Sequence, residues 1–274
     1  MTPLRGAAGF GIVEAPRSRM LTQSDRTKLA AHRGGALLWP ENSLLAFRNA
    51  VALGADFLEL DVHLSRDGEV VVIHDATLPR TTTGVGAVQD LALSELRALS
   101  LKDKDGTVTD ETIPTLDEVA VLVAPSSLEL LLEIKADARR ARYAGIEEKV
   151  LAILDGRGVT RRAIVISFEA ETVFRLRQLR PGVRAGALFS PRSLEQARSS
   201  VSAAIDELSR CGGAFVGLQQ SLVTAESLAL AQEKGLLLGA WTVNEAERMR
   251  RFIDLGVGVL ITDRPDLAKA LLRR

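Results

Sequence analysis

The spacing of apolar and polar positions changes several times along this chain, and each change marks an element. In residues 57–75, two apolar runs, Phe57–Leu64 and 70–73, flank Asp67-Gly68. An Asp-Gly pair between such runs predicts a β-hairpin with a two-residue loop. In that register Arg66 faces Glu69 and Asp61 faces His74. Period-2 parity puts Glu59 and Asp61 on one face, with His74 beside them. Upstream, residues 29–32 read as a short strand stopped by Gly34-Gly35. Leu44, Phe47 and Val51 then repeat at helical spacing, with Asn42 as N-cap and Gly54 as C-cap.

After the hairpin the rhythm breaks. Residues 76–127 contain Thr81-Thr82-Thr83-Gly84, a polar run over 102–111 and a brief helical pattern of Leu91, Leu93, Leu96 and Leu99, and they are expected to form a small insertion. Within them, Thr115-x-x-Glu118 is a capping box that opens a helix. Strand candidates at 128–134, 163–168, 184–189, 214–218, 236–243 and 257–262 then alternate with amphipathic helices at 146–154, 169–179, 193–209, 224–234 and 245–255. With the strands at 29–32 and 57–64, eight strands are separated by helices. Alternating βα units imply a parallel sheet, and eight of them in roughly 250 residues predict an α/β fold, a (β/α)8 TIM barrel with a β-hairpin after strand 2 and a small insertion. An open doubly wound sheet is the rival, but no G-x-G-x-x-G opens the first helix.

The 274 residues divide into an N-terminal extension, 1–27, expected to be flexible, and a single domain, 28–274. The extension is basic but has no apolar core of a secretory signal. Thirty-five basic residues balance 35 acidic ones, which gives no electrostatic bias toward nucleic acid or anionic membrane. The one cysteine excludes an intrachain disulfide framework and a cysteine-rich metal site. No apolar run approaches the ~20 residues needed to cross a bilayer. A cytoplasmic protein without an integral membrane segment is expected.

The hairpin carboxylates come next. A Glu-x-Asp pair is commonly a solvated strand face, but Phe57, Leu58, Leu60 and Val62 mark this strand as core. Two buried carboxylates repel unless a cation compensates, and oxygen ligands suit a hard divalent cation, Mg2+ or Ca2+. In a barrel, chemistry collects at the carboxyl ends of the strands. Those positions hold His32-Arg33-Gly34, Glu59-Leu60-Asp61, Glu133-Ile134-Lys135, Trp241-Thr242-Val243-Asn244 and Thr262-Asp263-Arg264.

Taken together, H-R-G-G at 32, P-E-N-S at 40, E-L-D-V at 59, V-I-H-D at 72, L-E-I-K at 132, A-W-T-V-N at 240 and I-T-D-R-P at 261 resemble the glycerophosphodiester phosphodiesterase family. The resemblance implies a barrel with an insertion after the hairpin, a divalent metal on Glu59, Asp61 and Glu133, and an acid/base pair of His32 and His74. It puts Arg33 and Lys135 at the substrate phosphate, Trp241 as an apolar wall for glycerol and Glu41 near the metal or substrate hydroxyls. The implied reaction is metal-dependent hydrolysis of small-molecule glycerophosphodiesters, in lipid and glycerol metabolism, to sn-glycerol 3-phosphate and an alcohol. The substrate's own glycerol hydroxyl attacks first, giving a cyclic phosphate that water opens, with His32 as base and His74 as acid in the first step.

Physical reasoning on the same residues agrees. A phosphodiester monoanion needs charge neutralisation, an activated nucleophile and a protonated leaving group. Arg33 offers a planar fork of donors and Lys135 a compact charge, on the same strand face as Glu133. Read alone, Glu41 is a first-turn helix acid, Trp241 is barrel-top packing, Asp263-Arg264 is a surface ion pair and Asn244 is an N-cap with Glu247 three residues on. His63 shares the side of Asp61 but lies further out and reads as peripheral. A lysophospholipase D-like enzyme is the near rival. It needs a greasy rim on the insertion, whereas the Leu91–Leu99 pattern is more easily buried. A non-catalytic phosphate-binding barrel is the rival of another class, and it predicts that a histidine or a carboxylate is missing.

Overall fold

Strands that are apolar on both faces must be covered on both, and this chain meets that demand by rolling its parallel strands into a ring ringed by helices. The computed structural model describes residues 26–273. The extension expected at 1–27 therefore lies outside the described residues, apart from Arg26, whose guanidinium Nη1 is 3.0 Å from Asp56 Oδ2, and Thr27. The strands are β1 (Lys28–Ala31), β2 (Phe57–Leu64), β3 (Val70–Val72), β4 (Ser100–Lys102), β5 (Val108–Thr112), β6 (Glu129–Ile134), β7 (Ala163–Ser167), β8 (Arg184–Phe189), β9 (Phe215–Gln219), β10 (Leu237–Trp241) and β11 (Val259–Thr262). The helices are α1 (Leu44–Leu53), α2 (Leu93–Arg97), α3 (Leu116–Val123), α4 (Ile146–Gly156), α5 (Ala170–Leu179), α6 (Pro191–Gln196), α7 (Val201–Arg210), α8 (Ala225–Glu233), α9 (Ala246–Leu255) and α10 (Pro265–Leu272).

The ring runs β1, β2, β6, β7, β8, β9, β10, β11, all parallel, and closes where β11 pairs with β1. The fold is a (β/α)8 barrel. Along β2 and β6 the even-numbered residues Leu58, Leu60, Val62, Leu130 and Leu132 pack outward against the helices. The odd-numbered Phe57 and Leu131 pack inward with Ile164, Ile166, Phe215 and Ile261. Phe215 fills the middle of this plug because its neighbours have no side chain: a Cβ on Gly239 would lie 2.5 Å from the Phe215 ring. Continuing the same odd parity toward the strand ends brings Glu59, Asp61 and Glu133 to the inner face, with Asp61 directly beside Glu133 in the register.

The hairpin differs from expectation by one residue. Val62 faces Val72 and Leu64 faces Val70, so the loop is Arg66-Asp67-Gly68, and Ile73, not His74, donates its N–H to the Asp61 carbonyl. The third loop residue is accommodated because Gly68 takes a left-handed φ of 81° and Ser65 Oγ accepts from Glu69 N–H while donating to Asp67. His74 therefore follows the strand. The helix expected at 193–209 is two helices, α6 and α7, interrupted at Arg198 with φ 50° and restarted by Ser200, whose hydroxyl accepts from Ala203 N–H. The N-cap of α1 is Ser43, not Asn42. The capping box of Thr115 and Glu118 opens α3 as expected.

Residues past the hairpin carry β4 and β5, which pair antiparallel, and α2. Their own small core joins Val71 and Ile73 to Leu78, Val88, Leu96, Leu101 and Ile113. Among the described residues, no helix is long and apolar enough to cross a membrane.

Candidate active site

The first loop after β1 is shaped by its glycines. Gly34 and Gly35 have φ of 83° and 114°, and a Cβ on Gly34 would come within 2.7 Å of Ala46 Cβ, so the turn can press against α1 only with glycine there. That tight turn points His32 and Arg33 into the barrel mouth. His32 Nδ1 lies 2.6 Å from Asp263 Oδ1, at the end of β11, and its Nε2 lies 3.8 Å from Glu59 Oε2. A carboxylate only accepts, so Nδ1 carries the hydrogen and Nε2 is the exchangeable nitrogen. Burial opposes the His32 cation, but Glu59 and Asp263 outweigh it and raise the pKa.

His74 repeats the arrangement across the mouth. Its Nδ1 is 2.6 Å from Asp75 Oδ1, and Arg80 Nε donates to the other Asp75 oxygen at 2.6 Å. Those two partners hold the Asp75 carboxyl well below the usual carboxylate range. Arg80 also donates to both oxygens of Glu41 at 2.8 Å, and Glu41 Oε1 accepts from Arg33 Nη1 at 3.1 Å. Burial pushes Glu41 up, but the two arginines hold it below its ordinary value.

Between the histidines sit the carboxylates. One oxygen each from Glu59, Asp61 and Glu133 lies within 4.8 Å of the others, and all three side chains are buried. Burial and the neighbouring Asp61 charge push Glu59 up to about 8, and burial likewise raises Glu133. Asp61 is held low despite its burial, chiefly by Lys135. Asn42 Nδ2 donates to Asp61 Oδ2 at 2.9 Å, and Arg33 N–H donates to Glu59 Oε2 at 2.9 Å. Lys135 Nζ bridges Glu133 at 2.9 Å and Asp61 at 3.3 Å, the latter outside hydrogen-bonding geometry, so Asp61 Oδ1 is buried without a hydrogen-bond donor. A buried, converging set of three carboxylates with one oxygen left without a donor is what a hard dication with oxygen ligands fits.

Two cavities meet here, with Glu133 and Phe168 lining both. The smaller, about 70 Å³, is walled by His32, Arg33, Glu59, Leu188 and Trp241. The larger, about 780 Å³, is lined by His74, Lys135, Asp137, Arg140 and Arg192. Phe168 meets Trp241 edge-on at 5.7 Å, forming the apolar side of the mouth.

The sequence profile described as the Glycerophosphoryl diester phosphodiesterase family matches residues 32–267. The chain belongs to that family. As a member of the glycerophosphoryl diester phosphodiesterase family it is a phosphoric diester hydrolase. A glycerophosphodiester phosphodiesterase of Caldanaerobacter subterraneus subsp. tengcongensis is 34% identical over 250 residues, 91% of this chain and 99% of the relative. Among solved structures, an Oleispira antarctica phosphodiesterase in complex with the product sn-glycerol-3-phosphate is similar with a TM-score of 0.75 at 25% identity, covering 91% of this chain and 98% of that one. A glycerophosphodiester phosphodiesterase from Thermotoga maritima is similar with a TM-score of 0.72 at 26% identity, covering 90% and 99%.

Within this family's barrel all nine residues singled out from the sequence, His32, Arg33, Glu41, Glu59, Asp61, His74, Glu133, Lys135 and Trp241, line the mouth or touch a residue that does. Five residues are placed differently from expectation. Asp263 is the partner of His32, while Arg264 turns away to Asp266. Asn244 is no N-cap: its Oδ1 accepts from Asp263 N–H at 2.9 Å and its Nδ2 donates to Asp263 Oδ2 at 2.8 Å, fixing that carboxylate. Asn42 turns inward to Asp61. His63, read as peripheral to the chemistry, is buried at 1% exposed, and burial pushes its imidazole down to about 4. Arg80 carried only the signal of being the single arginine just after the histidine block.

Proposed function

We propose that this phosphoric diester hydrolase cleaves glycerophosphodiesters to sn-glycerol 3-phosphate and an alcohol, with His32 and His74 as the acid/base pair. The observation that carries this reading is the pair of imidazoles, each with Nδ1 at 2.6 Å from a carboxylate, set about a buried group of three more carboxylates with Arg33 and Lys135 beside it. The small pocket walled by Trp241, Phe168 and Leu188 suits the glycerol end and puts it next to His32. The roomy cavity on the His74 side suits the departing alcohol. His32 Nε2 then takes the proton of the glycerol hydroxyl as that oxygen bonds to phosphorus, and His74 Nε2 gives a proton to the alkoxide as its P–O bond breaks. In the second step water opens the cyclic phosphate with the two roles exchanged.

Glu59, Asp61 and Glu133 are the residues that would hold a Mg2+ or Ca2+ ion. Such an ion would offset the carboxylate charge, including that of Glu59 beside His32, and would supply Lewis-acid stabilisation to the phosphate. Arg33, held by Glu41, presents its donors to the phosphate oxygens, and Lys135 adds positive charge. The leucines of the insertion support small soluble substrates over lysophospholipids, since Leu96 and Leu101 are packed inside its core rather than displayed. The test is a panel of glycerophosphodiesters and a lysophospholipid assayed with and without EDTA. Turnover of the glycerophosphodiesters that EDTA abolishes and Mg2+ or Ca2+ restores is expected; preference for the lyso-lipid, or rescue by zinc alone, would overturn the reading.

A further inference from the structure

His63 is the third of three histidines, sits two residues past Asp61 on β2, and has no part in the chemistry above. It is 1% exposed, and a polar ring so buried needs partners for both nitrogens. Its Nε2 lies 3.1 Å from the main-chain carbonyl oxygen of His74, and its Nδ1 lies 3.0 Å from the hydroxyl of Tyr143. A carbonyl oxygen only accepts, so Nε2 carries the hydrogen. Nδ1 is then a lone-pair acceptor, and the Tyr143 O–H must donate to it. The hydrogen bonds run one way, from Tyr143 through His63 to the peptide of His74, and they fit a neutral ring. Tyr143, the single tyrosine of the chain, meets that ring edge-on at 5.7 Å and 83°. It belongs to the segment between β6 and α4 whose Asp137 and Arg140 wall the larger cavity.

We infer that His63, backed by Tyr143, is a positioning residue for His74. Asp75 fixes the ring of His74 through Nδ1, and His63 fixes its peptide through the carbonyl. Two independent hydrogen bonds thus set where His74 Nε2 stands relative to the leaving oxygen. This inference rests on the proposed role of His74 as the acid that protonates the departing alcohol.

A misplaced acid matters in proportion to the basicity of what leaves. Choline departs as an alkoxide and needs the proton, whereas p-nitrophenolate departs without it. The experiment is single-turnover release of the leaving group from glycerophosphocholine and from the p-nitrophenyl ester of glycerol 3-phosphate, for the wild type and for His74→Ala, His63→Leu, His63→Gln and Tyr143→Phe. His74→Ala is expected to lose far more rate on the choline ester than on the p-nitrophenyl ester. His63→Leu should show the same selectivity with a loss of about tenfold to a hundredfold on the choline ester. Tyr143→Phe should follow it more weakly. His63→Gln, whose amide can donate to the same carbonyl, should recover most of the loss.

Equal losses on both esters for His63→Leu and Tyr143→Phe, with His74→Ala still selective, would make His63 a packing residue and overturn the inference while the acid assignment stands. Equal losses for His74→Ala itself would remove the acid assignment and the inference with it. Where His63→Leu does not fold, Tyr143→Phe decides, because it keeps the ring and nearly the whole volume.

Discussion

Asp263 and Asn244 act as a stacked support for one imidazole. Removing the lower member leaves His32 with the wrong nitrogen protonated part of the time and with no fixed orientation. Asp263→Ala is expected to lower kcat by about 10²- to 10⁴-fold with KM little changed, and steady-state kinetics on glycerophosphocholine checks it. This support was invisible in the sequence because 231 residues separate His32 from Asp263, and nothing local in T-D-R-P says which way the aspartate turns. Glu59 and Asp61 were legible, since their spacing alone puts both on the inner face of a strand. Glu59 also carries a pH prediction. Burial and the Asp61 charge push its pKa up to about 8, so in the metal-free site it gives up its proton at higher pH than an ordinary glutamate, and an incoming dication must displace that proton. Affinity for Mg2+ or Ca2+ should therefore rise by up to about tenfold per pH unit up to pH 8 and level off above it. Calorimetric titrations at pH 6.5, 7.5 and 8.5 check this, and a pH-independent affinity would contradict it.

Elements were read well where burial forces a period and poorly where short polar contacts decide. All eight barrel strands were legible because both of their faces are covered and their apolar runs are short and bounded. The hairpin loop was misread by one residue, since Ser65 and Gly68 stabilise three loop residues through contacts that the Asp-Gly pair does not reveal. The break between α6 and α7 was missed because helical spacing continues through Ala197 and Val201 while Ser200 quietly starts a new helix. Its hydroxyl satisfies an N–H that the helix itself cannot. Ser200→Ala should cost about 1 kcal/mol of stability, read as a lower urea midpoint at unchanged m-value, with no effect on turnover.

At the scale of the whole molecule, the barrel supplies convergence and the segment after the hairpin supplies restraint. Arg80 reaches from that segment to Glu41, which holds Arg33, and to Asp75, which holds His74. Arg80→Ala removes one partner from each carboxylate, leaving Glu41 to Arg33 and Asp75 to His74, and is expected to lower kcat/KM by roughly tenfold or more while the barrel still folds, as circular dichroism and kinetics together would record. The presence of an excursion could be seen in the broken rhythm of 76–127. Its purpose could not, because one of the arginine's two partners, Glu41, lies 39 residues away, before the hairpin.

The guanidinium of Arg80 makes the loop region and the barrel a matched set. Chimeras that swap this region between homologues should keep activity when the donor contributes an arginine at that point, and should yield well-folded but sluggish enzymes when it does not, however similar the two barrels are.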